Sequence, residues 1–132
     1  METLSVATRS RTELIDITGE IQTVIKKKKW VDGILTLFVP HTTAGVTINE
    51  NADPSVQRDV LKQLSKLAPA DGDYTHSEGN SDGHVKSSLV GCSLNVIIEN
   101  GEMALGTWQG VYFAEFDGPR SRKVQLKFMS DK

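Results

Sequence analysis

The chain carries three histidines, His41, His76 and His84, and none of them lies inside an apolar run. His76 and His84 sit in the stretch YTHSEGNSDGHVKSSLVGC, from Tyr74 to Cys92, around a loop of small and polar residues; His41 directly follows the strand-like ILTLFVP. Three neutral imidazoles are the right number for a catalytic zinc site, which keeps a fourth position open for water or substrate. The separation of His76 from His84 matches no short zinc pattern, and His41 lies far upstream, so residue chemistry carries this reading more than spacing does. His84 falls near the expected start of a helix, where the dipole opposes an added positive charge and leaves the imidazole free to ligate. Glu78 and Asp82 share the loop and are candidates to hold the far ring nitrogens or act on a bound water; Glu78 is the candidate acid/base. The plainer alternative makes each histidine a surface or hydrogen-bonded side chain.

Around the histidines lie hydroxyl, amide and basic groups of the kind that bind phosphate. Thr42, Thr43, Asn49, Asn80, Lys86 and Arg120 are the candidate substrate contacts, with Asn51, Ser87, Ser88 and Arg122 in the same company. Taken singly, the Thr and Ser pairs read as caps and turns, and Arg120 with Arg122 as a basic edge strand. Cys92 has no charged sequence neighbour to activate a thiolate and is assigned to packing. Trp108, flanked by Gly106 and Gly110, is expected to pack over glycine in the core.

The elements that must position these residues follow from hydrophobic period. Alternation predicts short strands over Leu4–Thr8 and Leu14–Ile17. Ile17, Ile21, Val24 and Ile25 then fall at helical spacing, and Lys26 to Lys29 load the C-terminal end, where cations suit the dipole. Ile34 to Pro40 reads as an inner strand stopped by proline, and AGVTINE as its neighbour across HTTAG. Asp53-Pro54 opens a helix whose stripe of Val56, Val60, Leu61, Leu64 and Leu67 covers a sheet. HVKSSLVG reads as a short helix capped by Ser81 or Asp82. Ser93–Glu99 is a strand, Asn100-Gly101 its hairpin turn, and strands at 111–116 and 123–128 flank the turn Asp117-Gly118-Pro119. The sum is an α+β fold, a mainly antiparallel β-sandwich-like sheet with two to three short helices packed on one side.

Composition narrows the classes. With 132 residues the chain is one domain's length, expected to span residues 1–132. A net charge of −2, from 15 basic and 17 acidic residues, provides no field for nucleic acid or an anionic membrane. A single cysteine rules out an internal disulfide, and the N-terminal residues lack the apolar run of a signal peptide, so a soluble, cytoplasmic protein is expected. Mean hydropathy of −0.28 with regular apolar patterning argues against disorder.

Three motifs, HTTAGVTINENADP (His41–Pro54), HSEGNSDGHVKSSLVG (His76–Gly91) and LGTWQGVYFAEFDGPRSRKV (Leu105–Val124), occur in an order that resembles the YjbQ family, small proteins described as secondary thiamine-phosphate synthases. The resemblance implies a sandwich-like α+β fold assembling as a homotrimer with sites near subunit boundaries. It places the family's histidines on His41, His76 and His84, and Glu78, Arg120, Asn49, Asn51 and Asp53 in equally recognisable positions. Gly83 and Cys92 stand where Ala or Ser is expected, a small-to-small change of little consequence. Thiamine-phosphate synthesis joins an aminopyrimidine diphosphate to a thiazole phosphate and expels pyrophosphate. That reaction wants cations on the leaving group and commonly Mg²⁺, whereas three histidines favour a zinc-like divalent metal. The expectation is a metal-dependent enzyme acting on a phosphorylated small molecule. The alternative is a trimeric metal or small-anion binding protein without catalysis.

Overall fold

Alternating apolar residues along the chain become two antiparallel sheets in the computed structural model, which describes residues 1–132. The strands are β1 (Glu2–Ala7), β2 (Glu13–Asp16), β3 (Gly33–Phe38), β4 (Ala44–Glu50), β5 (Ser93–Glu99), β6 (Glu102–Met103), β7 (Gln109–Glu115) and β8 (Ser121–Ser130); the helices are α1 (Thr18–Lys28), α2 (Pro54–Leu67) and α3 (Ser81–Val90). One sheet has the order β1-β8-β3-β5-β6 and the other β2-β7-β4. The expected α+β architecture is therefore present, and β3 is an inner strand, paired with both β5 and β8.

The core lies where the inward faces meet. Val6, Leu35, Leu37, Val96, Ile98, Val124 and Leu126 from the larger sheet join Ala44, Val46, Val111 and Phe113 from the smaller, and Ile17, Ile21 and Ile25 at α1 complete the cluster. Each fully buried Leu, Ile or Phe contributes about 1.5–3 kcal/mol. Strand β7 is buried on both faces. Its neighbours β4 and β2 carry α3 and α2 respectively, so helices cover the outside of the smaller sheet.

Local chemistry explains the element ends. Asp53 caps α2, accepting from the Ser55 N–H at 2.9 Å, with Pro54 as the first helical residue. Asn100 and Gly101 both take positive φ, 52° and 78°, as a two-residue hairpin turn demands. The lysines at the end of α1 are exposed, as a solvated helix terminus should be.

Three expectations are corrected. Helix α2 covers its sheet only loosely, for none of its residues is buried and Leu67 is 63% exposed. The cap of α3 is Asn80 rather than Ser81 or Asp82. Trp108 is 63% exposed in the connection ahead of β7, not packed in the core, because the loop between β6 and β7 carries it outward before alternation resumes.

Candidate functional site

The inward stripes of three strands continue past the apolar core and end on polar residues in the same phase. In β1 the residue after Val6 on that face is Thr8; in β7 Val111 and Phe113 lead to Glu115; in β8 Leu126 and Val124 lead to Arg122. All three polar residues are buried. Arg122 forks onto Glu115, with Nε donating to Oε1 at 2.8 Å and Nη2 to Oε2, and its Nη2 also donates to Thr43 Oγ1 at 2.9 Å. Thr8 Oγ1 donates to Glu115 Oε1 at 2.7 Å, while the N–H groups of Phe116 and Asp117 reach Oε2 at 3.0 Å. Burial alone would push the Glu115 carboxyl up, but the hydrogen bonds from Arg122, Thr8 and the Asp117 N–H, with the Arg122 charge, hold it below its ordinary value. This polar plug closes one end of the sandwich, and its Thr43 and Arg122 line an open cavity of about 670 Å³.

His41, His76 and His84 all line that cavity. His41 stands just beyond the end of β3, where Pro40 stops the strand, and its Nε2 accepts the Lys123 N–H at 3.0 Å. Burial, then the Arg122 charge and, more weakly, Lys123 and Arg120 lower its pKa against an upward pull from Glu115, so the uncharged ring is favoured. His84 lies in the first turn of α3, as expected, and its ring meets His76 edge to face at 5.4 Å. Glu78 Oε2 approaches His76 Nε2 at 3.9 Å in an exposed pairing.

The histidines share a cavity without forming the expected ligand set. No three His, Cys, Asp or Glu side chains stand close enough together to hold one ion. His41 spends on the Lys123 N–H the lone pair that a metal would need. Asp82 does not orient a ring either, being buried against Arg11 at 2.9 Å and Lys86 at 3.5 Å.

Of the candidate substrate contacts, Thr42, Thr43, Asn80 and Arg120 line the cavity, and Asn49 and Lys86 do not. Asn49 is exposed towards the far end of β4. Lys86 is 2% exposed, and its ammonium is held by Asp82 and by Ser65 Oγ at 3.3 Å, so α3 turns it inward, away from any cavity phosphate. Arg120 Nε and Nη2 bond Asp117 O and Oδ2 at 2.8 and 2.9 Å. Asn80 Nδ2 donates to the same Oδ2 at 2.8 Å, and its own buried Oδ1 has no partner. Burial would raise the Asp117 carboxyl, and the bonds from Asn80 and Arg120 with the charges of Arg120 and Arg11 outweigh that and lower it.

Sequence reasoning passed over Glu115 and Asp117 and misplaced Cys92. Glu115 carried a signal, a carboxylate in phase with Val111 and Phe113 on an otherwise apolar strand face. Asp117 read only as a turn residue. Cys92 is exposed and lines the cavity, contrary to its assignment to packing, because Gly91 ends α3 and turns the chain outward at that point.

Comparison with known proteins agrees with the fold. A family model described as "UPF0047 protein YjbQ-like" matches residues 2–131. The UPF0047 protein MJ1081 of Methanocaldococcus jannaschii is 57% identical over 127 residues, covering 96% of this chain and 92% of that protein. YugU of Bacillus subtilis is 48% identical over 130 residues, covering 98% of both. Among solved structures, a YjbQ/UPF0047 family protein from Clostridium acetobutylicum superposes with a TM-score of 0.95 at 52% identity, covering 98% of this chain and 100% of that one. Protein APE1520 of Aeropyrum pernix gives 0.93 at 34% identity, covering 99% and 100%.

Proposed function

The chain belongs to the YjbQ-like UPF0047 family, and from that premise we propose that it is a small enzyme acting on a phosphorylated small molecule in the histidine-lined cavity. The observation that carries the reading is the convergence of His41, His76, His84, Glu78 and Arg120 on one cavity from four separate chain segments. A core-packing role would not bring three imidazoles, none of them buried, a carboxylate and a guanidinium together at a strand end. Arg120, exposed and anchored by Asp117, is the cation for a phosphate; Thr42 adds a hydroxyl; Glu78, beside His76, is the acid/base. The reaction proposed, on the resemblance drawn from the sequence motifs, is thiamine-phosphate synthesis. There a thiazole nitrogen forms a C–N bond to the aminopyrimidine methylene as the C–O bond to diphosphate breaks, and pyrophosphate leaves with the electron pair.

A second reading is favoured by the edge-to-face contact of His76 and His84. Two imidazoles at one wall of the cavity suit a metal or small-anion binding protein that converts nothing. The histidines as placed do not make a three-ligand site, so no step of the chemistry above runs through a metal. Glu78→Gln separates the readings. In the enzyme it lowers turnover about 10²–10⁴-fold with ligand affinity little changed; unchanged turnover removes Glu78 as the acid/base, and no product from any phosphorylated pyrimidine or thiazole beside saturable binding selects the binding protein. Elemental analysis of wild type beside His76→Ala decides the metal: one zinc per chain, lost in the variant, places the ion at the His76–His84 wall, and no metal in either removes it.

A further inference from the structure

His41 closes the end of the ladder between two inner strands of the larger sheet, β3 and β8. In the ladder between β3 and β8, Phe38 lies opposite Gln125, and the same register carried two residues further sets Pro40 against Lys123. Strand β3 ends at Phe38, so the ladder stops short of that pair. The Lys123 N–H, left without a strand partner, donates to His41 Nε2 at 3.0 Å. A backbone N–H can only donate, so Nε2 carries the lone pair, and in the neutral ring the proton must then sit on Nδ1. Lys123 cannot easily turn away, because the preceding residue is Arg122, forked onto Glu115 and Thr43 in the buried plug. The ring that lines the cavity therefore shows it a donor.

A second donor stands beside it. Arg120 uses Nε and Nη2 on Asp117, which leaves its Nη1 group for the cavity that both residues line. We propose that His41 acts as an immobilised hydrogen-bond donor through Nδ1–H, and that this donor and Arg120 Nη1 together receive an anionic oxygen of the bound phosphate group. The inference rests on the reading of the cavity as a phosphate-ligand site and gives His41 a role different from metal ligation. An ion on Nδ1 would force the ring proton onto Nε2, where it would face the Lys123 N–H, donor against donor.

The test is NMR spectroscopy of the full chain with ¹⁵N-labelled histidine, using ring correlations that distinguish the tautomers, before and after addition of inorganic phosphate and, separately, of zinc. The expected result is a single Nδ1–H tautomer for His41 without ligand, and a saturable displacement of its Nδ1 proton signal by phosphate. Phosphate affinity falls about tenfold in His41→Ala, the loss of one charge-assisted hydrogen bond, and is largely retained in His41→Asn, whose amide nitrogen sits near the position of Nδ1. Backbone amide spectra of both variants report that the sheets are intact. An Nε2–H tautomer, or zinc taking Nδ1 at one ion per chain, overturns the donor role. An Nδ1–H tautomer that phosphate never perturbs overturns the pairing with an anion, while the enzyme reading stands or falls separately on Glu78→Gln.

Discussion

Glu115 and Arg122 show how much one buried pair supports. The carboxylate is fully buried and the guanidinium nearly so, and each accounts for the other's charge. Glu115→Gln leaves Arg122 buried without its counter-charge and is expected to cost about 3–5 kcal/mol, read from urea denaturation. The same residues set the response to acid. Glu115 and Asp117 are held below their ordinary values of 4.5 and 3.8, so the stability they contribute is complete above those values and is lost as pH falls through the lower folded ones. His41 is also lowered, from 6.5, so the folded state resists protonating it and stability declines as pH falls below 6.5 towards its folded value. Melting temperature followed from pH 8 downward should therefore drop in two stages. His41→Asn should remove the upper stage and Glu115→Gln should weaken the lower; identical acid profiles in all three proteins would refute the assignment.

Two glycines contrast at the level of elements. Gly101 sits in the β5–β6 turn with φ 78°, and a Cβ there would find its nearest neighbour at 3.9 Å, so Gly101→Ala costs only the left-handed strain, about 1–2 kcal/mol. Gly83 lies within α3, where alanine gains about 1 kcal/mol of helix propensity. Its Cβ, however, would come within 2.9 Å of the Phe116 carbonyl. We expect Gly83→Ala to destabilise despite the propensity gain, and to displace His84, which follows it in α3, visible as altered His76–His84 ring shifts. The close approach of the Phe116 carbonyl, just past β7, is what gives a small-to-small change at that position its expected cost.

At the scale of the molecule, α2 carries a well-formed apolar stripe that the single chain covers only in part. Val56, Val60, Leu61 and Leu64 are half-buried, Leu67 is exposed, and on α3 Leu89 is 57% exposed. A helix with such a stripe and no buried residue favours further cover, which the homotrimer implied by the sequence resemblance would supply. If so, size-exclusion chromatography with light scattering returns about three times the 14.5 kDa chain mass; a monomer at micromolar concentration would refute the trimer. No helix is long and apolar enough to cross a membrane.

Much of this was written in local sequence. Period-two alternation marked the strands, Asp53-Pro54 the start of α2 and Asn100-Gly101 the hairpin turn, because propensity, capping and turn chemistry act between near neighbours. The grouping of His41 with His76 and His84 was also readable, since imidazoles among small polar residues are poor core material. Tertiary structure alone decided what each of those residues does. Lys86 looked like a phosphate contact until the pitch of α3 turned it onto Asp82 and Ser65. Arg122 and Glu115 became a plug only when strands far apart in sequence were set side by side. His41 became a donor because the register of β3 on β8 leaves the Lys123 N–H without a strand partner beside Pro40, and no local pattern encodes a register between segments separated by some eighty residues.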